Sequence, residues 1–407
     1  MNSDEQQHDV TRNDAELPSD IAPDDSGASD AQAIPAEMTP GQLAEAKQYN
    51  RLDLWCSLAD MAIDIVYLGA MAILAAKPLE QWLAGQLGET GWMGTETVRL
   101  AALYAVVFAM HLALSAPLSF YSGFVLEHRF GLSRQSFISW LRDFLLHNTM
   151  GFVFNLLMFC GLFWVVWTSG AYWWLLAAAG WFIIAVLMGQ LAPVVIMPLF
   201  YTIKRLEDSS LVERLTRLTQ GTGLTLEGVY RIVLSNKTVK ANAMLAGLGR
   251  TRRVMLGDTL LDSFTPEEVE VVFAHEIGHH VHHHIRKMIL SGVAYALVGF
   301  YVCDRVLASW IPTYDPTVLP VYALPMLMFC LLLFMRLTEP IQNAMSRHNE
   351  READLYAIGS TGQRGAFISA FHKLARINKA DPHPHPLEVF LFHSHPPITE
   401  RIAAARE

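Results

Sequence analysis

The chain has 407 residues, 52% of them hydrophobic and 17% charged, with a net charge of −9. So apolar a composition is unlike an ordinary soluble domain and directs attention to membrane-length segments, while the acidic balance argues against general nucleic-acid affinity. The four cysteines, Cys56, Cys160, Cys303 and Cys330, show no C-x-x-C pair and no metal-ligand spacing, and read as small buried hydrophobes in a reducing compartment.

Residues 1–45 are acidic, rich in Ala, Asp, Ser and Pro, and aperiodic. Such a segment buries too little apolar surface to offset its chain entropy and is expected to be a disordered tail. It has neither the basic start nor the apolar centre of a signal peptide. Residues 46–203 then hold four runs of membrane-crossing length, which takes about 20 helical residues. They cover 54–76, 98–121, 150–167 and 172–199, the last opening on Tyr172, Trp173 and Trp174 like an interfacial belt. Two more runs, 288–311 and 318–337 within 288–338, bring the expected spans to six.

Asp60 and Asp64 fall in the first span and Asp304 and Arg305 in the fifth. Charges at membrane depth face a protein interior or a water-filled cavity; Asp304 and Arg305 equally fit a place near a membrane surface. Basic residues gather between spans two and three (Arg129, Arg134, Arg142), after span four (Lys204, Arg205) and before span five (Arg286, Lys287). The loops after spans three and five have none, and only Lys77 and Arg99 run mildly against the pattern. The positive-inside rule therefore puts both termini and residues 204–287 on the cytoplasmic side.

Residues 204–287 are soluble in character. Asp208-Ser209-Ser210 opens an amphipathic helix over 208–219. Segments 229–234 and 253–256 read as short strands, with 242–248 a weaker third. Thr265-Pro266-Glu267-Glu268 starts a helix: Thr as cap, Pro at the first position, Glu three residues on. On that helix stands His275-Glu276-Ile277-Gly278-His279. Residues four apart share a face, so both imidazoles reach one ion with Glu276 beside it. Zinc in a hydrolytic site takes three protein ligands and leaves one position for water, which it acidifies while polarising the scissile carbonyl. Glu276 accepts the water proton and passes it to the leaving amine. One Zn2+ per chain is expected.

The third ligand must come from elsewhere. An H-E-x-x-H-x-x-G-x-x-H arrangement needs His at position 285, which is Ile285. His280, His282, His283 and His284 follow the motif, and His283 continues the stripe of His275 and His279. Three ligands from one straight helix make a poor tetrahedral set, so these histidines read as a polar, partly hydrated face. Residues 339–407 offer the alternative. At about 100° per residue, Asn343, Ser346 or Arg347, Glu350 and Asp354 share one face, whereas Glu352 points about 200° from Glu350. Glu350 is thus the expected third ligand, and Asp354, one turn on, is expected to hydrogen-bond a ligating imidazole. Replacing Glu352 is expected to leave the metal in place.

These blocks carry a resemblance. The sequence resembles the type I CAAX prenyl proteases, membrane-embedded zinc endopeptidases that also include bacterial HtpX-like members, from about Tyr121 to the C-terminus. His275 to His284 is similar to the family's H-E-x-G-H-x-x-x-x-H, and Ser346-Arg347-x-x-Glu350-x-x-Ala353-Asp354 to its S-R-x-x-E-x-x-A-D. Ser394-His395-Pro396-Pro397 with Glu400-Arg401 resembles its terminal S-H-P-P-x-x-E-R. Asn242-Ala243, ahead of Asp258-Thr259-Leu260-Leu261, resembles the edge strand on which the family lays its peptide. Phe124-x-x-Glu127-His128-x-Phe130-Gly131-Leu132 resembles a block that marks the CAAX protease branch.

The resemblance implies His275, His279 and Glu350 as ligands and Glu276 as base. It implies His395 and Asn343 as donors to the developing oxyanion, and Asn242 and Ala243 as substrate-strand contacts. One departure is that the eukaryotic members have seven spans around a large water-filled chamber. Six spans here imply a chamber that is smaller or open on one side.

The expected architecture is a mainly α, polytopic membrane protein with about six transmembrane helices and a cytoplasmic gluzincin-type zinc protease domain containing a small β-sheet. The expected setting is a bacterial inner membrane, and the expected partners are the lipid bilayer and a peptide or membrane-protein substrate, with no nucleic acid. The expected activity is that of an integral-membrane zinc metalloendopeptidase. A non-catalytic scaffold or chaperone has no use for Glu276. A metal transporter should carry ligands inside its spans, where His111 is the one histidine. Native substrate, cleavage preference and oligomeric state leave no signature in the sequence.

Overall fold

A computed structural model describes residues 37–88, 91–224, 226–247 and 252–407. Most of the expected tail lies outside the described residues, but its last part is helical. Thr39 and Gln42 form a reciprocal capping box, with Pro40 at the first turn, and start α1 (Pro40–Ala70) inside the segment read as tail. Composition had hidden this start, because a cap is a matter of three or four residues.

The chain then runs through long apolar helices. α1 passes a π-turn at Met71–Ala75 into α2 (Ala76–Leu87). α3 (Glu96–Phe120) contains Pro117 and passes a second π-turn at Tyr121–Leu126 into α4 (Glu127–Arg129). α5 (Phe137–Ser169) is followed by a reversal at Gly170, whose φ of +53° suits a residue without Cβ, and by α6 (Trp173–Leu191). A third π-turn, Ala192–Ile196, contains Pro193 and leads to α7 (Met197–Phe200). Pro117 and Pro193 lack the N–H that a regular helical ladder needs, which favours such wider turns.

Next comes a four-stranded sheet. β1 (Thr202–Arg205) pairs antiparallel with β2 (Gly228–Val233), and α8 (Ser209–Leu218) stands between them in sequence, capped by the Asp208 carboxylate on the N–H groups of Ser210 and Leu211. β3 (Ala243–Ala246) pairs antiparallel and β2 parallel with β4 (Arg253–Gly257), giving the order β1-β2-β4-β3. β3 is therefore an edge strand. β1 was not anticipated: its four residues straddle the boundary drawn between membrane and soluble segments. α9 (Asp258–Leu261) leads to α10 (Pro266–Val281), which begins with the expected capping box of Thr265 and Glu268.

α10 stops at Val281, and His283 adopts a left-handed conformation (φ +57°) that starts α11 (His284–Trp310) in a new direction. His283 therefore does not continue the stripe of His275 and His279. α12 (Leu324–Thr361) is one unbroken helix of 38 residues, about 57 Å long at 1.5 Å per residue. The sixth expected span and the segment bearing Glu350 are thus a single rod. α13 (Arg364–Ile377), α14 (Pro386–Phe392) and α15 (Ile398–Arg406) close the chain.

Among the described residues, five continuous helical segments are long and apolar enough to cross a membrane: Pro40–Leu87, Glu96–Arg129, Phe137–Phe200, His284–Trp310 and Val321–Thr361. The third has 64 residues, about 96 Å if straight, far beyond a bilayer core of about 30 Å. It folds back at Gly170 so that α5 packs on α6, and the two runs read there as separate spans are both present. Trp173 is not part of an interfacial belt: it is fully buried and donates to Asp304, 2.7 Å away, which also accepts from Tyr314. Asp304 thus faces the protein interior, whereas Arg305 is exposed. Asp64 pairs with His111 at 2.9 Å and lies 3.6 Å from Arg336, a polar line from α1 to α3 and α12.

α10 and α12 meet more closely than side chains normally allow. A Cβ placed on Gly278 would lie 2.8 Å from the Ala353 Cα and 3.1 Å from its carbonyl oxygen. Gly278→Ala is expected to cost about 1–3 kcal/mol by forcing the helices apart. Gly161→Ala, at a helical glycine with nothing within 4 Å, is expected to be neutral or stabilising. Unfolding of both variants in detergent checks this, and a Gly278→Ala chain as stable as the parent would show that the contact is not tight.

Candidate active site

The three expected ligands converge. His275 and His279 project from α10 with their Nε2 atoms 3.2 Å apart. Glu350, arriving on α12, lies 3.2 Å from His275 Nε2 through Oε2 and 3.3 Å from His279 Nε2 through Oε1. Donor atoms bound at about 2.0–2.1 Å on tetrahedral directions stand about 3.3 Å apart, so this spacing fits a single zinc ion. His275 and Glu350 are 8% and 5% exposed, so little water reaches either. Glu350 Oε2 accepts no well-directed hydrogen bond, although His395 Nδ1 is 2.8 Å away. A buried carboxylate oxygen left in that state is suited to a cation. Among the described residues this is the one His, Cys, Asp or Glu group that can hold a metal ion.

Asp354 occupies the expected place behind the first ligand, with Oδ1 2.8 Å from His275 Nδ1. Accepting that N–H fixes the tautomer whose Nε2 lone pair faces the space shared with His279 and Glu350. Burial works against charge on His275, yet hydrogen bonding to Asp354 and Glu350 outweighs it and raises the imidazole to about 9. The pocket is thus set for positive charge. Arg401 holds Asp354 from behind through Nε at 2.8 Å and Nη2 at 2.5 Å, and its guanidinium lies over the Phe371 ring at 4.0 Å. The sequence offered Arg401 only as part of a terminal motif; its distance of 47 residues from Asp354 gave no reason to pair them.

Glu276 sits next to the ligands and faces a cleft of about 450 Å³. No hydrogen bond or ion pair engages its carboxylate among the described residues. Asn242, Ala243 and His395 line the same cleft. The edge segment is clamped from both sides. Asn378 accepts from the Ala241 N–H at 2.9 Å and donates to its carbonyl at 3.2 Å. Glu127 accepts from Tyr49 at 2.6 Å and from Lys240 at 3.0 Å, while the Val239 N–H donates to the Leu132 carbonyl. The block at Phe124–Leu132 therefore acts on the chain just before the edge strand.

Asn343 is not brought to the ligands. It lies seven residues before Glu350, about 10 Å along the helix, so a shared face does not mean a shared site. Its amide donates to the Leu391 carbonyl at 2.8 Å, and it borders a different cavity. Arg347 donates to the carbonyls of Val389 and His393 at 2.8 and 2.6 Å. Together they fasten the segment that delivers His395. The histidines after the motif are not a hydrated face throughout: His284 is 1% exposed.

Comparison with known proteins agrees with this geometry over residues 28–202 and 205–407. Residues 205–407 match the model of peptidase family M48, and residues 28–202 match the CAAX prenyl protease N-terminal domain, described as having five membrane helices. The chain is 26% identical to the protein named "Uncharacterized metalloprotease YhfN" of Bacillus subtilis, over 92% of this chain and 88% of that one. It is 28% identical to CAAX prenyl protease 1 of Saccharomyces cerevisiae, over 71% and 68% of the two chains. The crystal structure of S. mikatae Ste24p shares the fold with a TM-score of 0.78 at 23% identity, covering 90% of this chain and 89% of that one. The chain is an integral membrane metallopeptidase and belongs to peptidase family M48, joined to the membrane domain of the CAAX prenyl proteases.

Proposed function

We propose that this protein is a zinc metalloendopeptidase that hydrolyses peptide bonds of membrane-associated proteins at the cytoplasmic face. The observation that carries this reading is the convergence of His275, His279 and Glu350 beside an unengaged Glu276, at the mouth of a cleft bounded by an edge strand. When bound, zinc supplies an acidified water and a polarised scissile carbonyl. Glu276 takes the water proton and returns it to the departing amine. His395, exposed to the cleft and held by the anchored 389–393 segment, donates to the developing oxyanion. Among the described residues no strand pairs with the outer side of β3, and a peptide adding there passes Asn242 and Ala243 next to the ligands.

The same strand also reaches two helices of membrane-crossing length. Met244, Leu245 and Ala246 also line an apolar cavity of about 490 Å³, together with Trp181 and Val186 of α6 and Ile289 of α11. A substrate extended along β3 therefore lays apolar groups between two membrane helices, which supports a membrane-associated substrate. The name of the yeast relative makes a prenylated CAAX peptide the first to try. A scaffold role is less well supported, because it gives neither Glu276 nor the edge strand a task.

Glu276→Gln is expected to retain zinc and lose about 10²–10⁴-fold in peptide hydrolysis. Metal analysis and a peptidase assay on the same preparation check this, and a variant that cleaves as fast as the parent rules out the mechanism. Glu350→Gln is expected to lose zinc on dialysis. Asp354→Asn should weaken zinc affinity by about 10–100-fold. Arg351→Ala, whose partner Glu400 is half exposed like itself, should leave affinity unchanged. Chelator competition ranks the three, and any other order contradicts the assignment.

A further inference from the structure

The two imidazole ligands are supported differently. Asp354 stands behind His275, but the atom facing His279 Nδ1 at 2.8 Å is Nδ1 of another imidazole, that of His284. His284 is the first residue of α11, delivered by the left-handed turn at His283 and buried to 1% exposure. Its other nitrogen, Nε2, lies 3.0 Å from Glu352 Oε2 on α12. Lys287 Nζ lies 2.8 Å from the same oxygen.

The positions of the protons follow from what each group can do. An ionised carboxylate only accepts, so His284 Nε2 carries the hydrogen toward Glu352. A neutral His284 then has a bare Nδ1, which accepts. Two Nδ1 atoms at this separation cannot both carry a proton along the same line, so His279 Nδ1 is the donor. His279 Nε2 is left with its lone pair directed at the space it shares with His275 and Glu350. Lys287 donates to the same Glu352 oxygen and holds it in place, so the order of the chain runs Lys287, Glu352, His284, His279.

We propose that His284 is a positioning residue that fixes the ring orientation and tautomer of the second metal ligand, with Glu352 and Lys287 holding His284 in turn. This rests on the zinc-site reading above. It departs from the expectation that replacing Glu352 leaves the metal in place, because Glu352 meets His284 at 3.0 Å.

The test uses the full chain purified in detergent. Zinc affinity is measured by chelator competition, and thermal unfolding is measured on the metal-stripped protein. His284→Phe is expected to weaken zinc binding by about 10–100-fold while leaving the unfolding temperature of the stripped protein unchanged. Glu352→Ala should shift affinity in the same direction by less. His284→Asn, whose side-chain oxygen takes the place of the imidazole Nδ1, should recover part of the loss. Parent-like affinity in His284→Phe overturns the inference and leaves the zinc site standing. A parent chain that binds no zinc overturns the reading beneath it. A stripped protein destabilised in step with the lost affinity assigns His284 a purely structural role and also overturns it. If His284→Phe does not fold, Glu352→Ala decides, and unchanged affinity there counts against the proposal.

Discussion

The contact on which the site depends is the one between Gly278 and Ala353. With no side chain on one helix and a single methyl on the other, α10 and α12 approach until a Cβ on Gly278 would clash with the Ala353 backbone. That approach sets where Glu350, three residues before Ala353, meets the two imidazoles flanking Gly278. Helix spacing ordinarily runs to about 8–10 Å, and larger residues at the crossing would carry the carboxylate beyond reach of a shared ion. α12 also runs unbroken from its apolar half to the ligand. Glu350 is therefore fixed to the membrane part of the fold, and its position does not depend on a flexible loop.

Around this crossing, the rest of the soluble part supplies orientation. α15 brings Arg401 to Asp354, and α14 is tied to α12 by Asn343 and Arg347 so that His395 reaches the cleft. The edge strand is fixed by Asn378, just past the end of α13, and by the Glu127–Lys240 pair from the end of the second membrane segment. Elements remote in sequence thus serve one small volume. The family's two parts, the membrane domain and the peptidase domain, are coupled through these hydrogen bonds as well as through the chain.

Much of this was legible in the sequence. Helix periodicity turned Glu350 rather than Glu352 toward the two imidazoles and placed Asp354 behind one of them, because both are local consequences of about 100° per residue. The Thr265 capping box and the apolar runs were readable for the same reason. What escaped was non-local or conformational. The left-handed turn at His283 removes it from the stripe and buries His284, and no pattern of residue types announces a positive φ at a histidine. Asn343 shares a helical face with Glu350, but periodicity gives direction without distance, and the amide is spent on Leu391. Trp173, read as an interfacial anchor from its neighbours, is a core residue because Asp304 needs its N–H. The pairings of Arg401 with Asp354 and of Asn378 with Ala241 cross 47 and 137 residues and have no local signature.

X-ray absorption at the zinc edge, on the detergent-purified parent chain, probes the proposed convergence most directly. The account predicts about one zinc per chain, surrounded by two imidazole nitrogens and by oxygen, at about 2.0–2.1 Å. A shell containing sulfur, a shell with three imidazoles, or a chain that retains no zinc would contradict it.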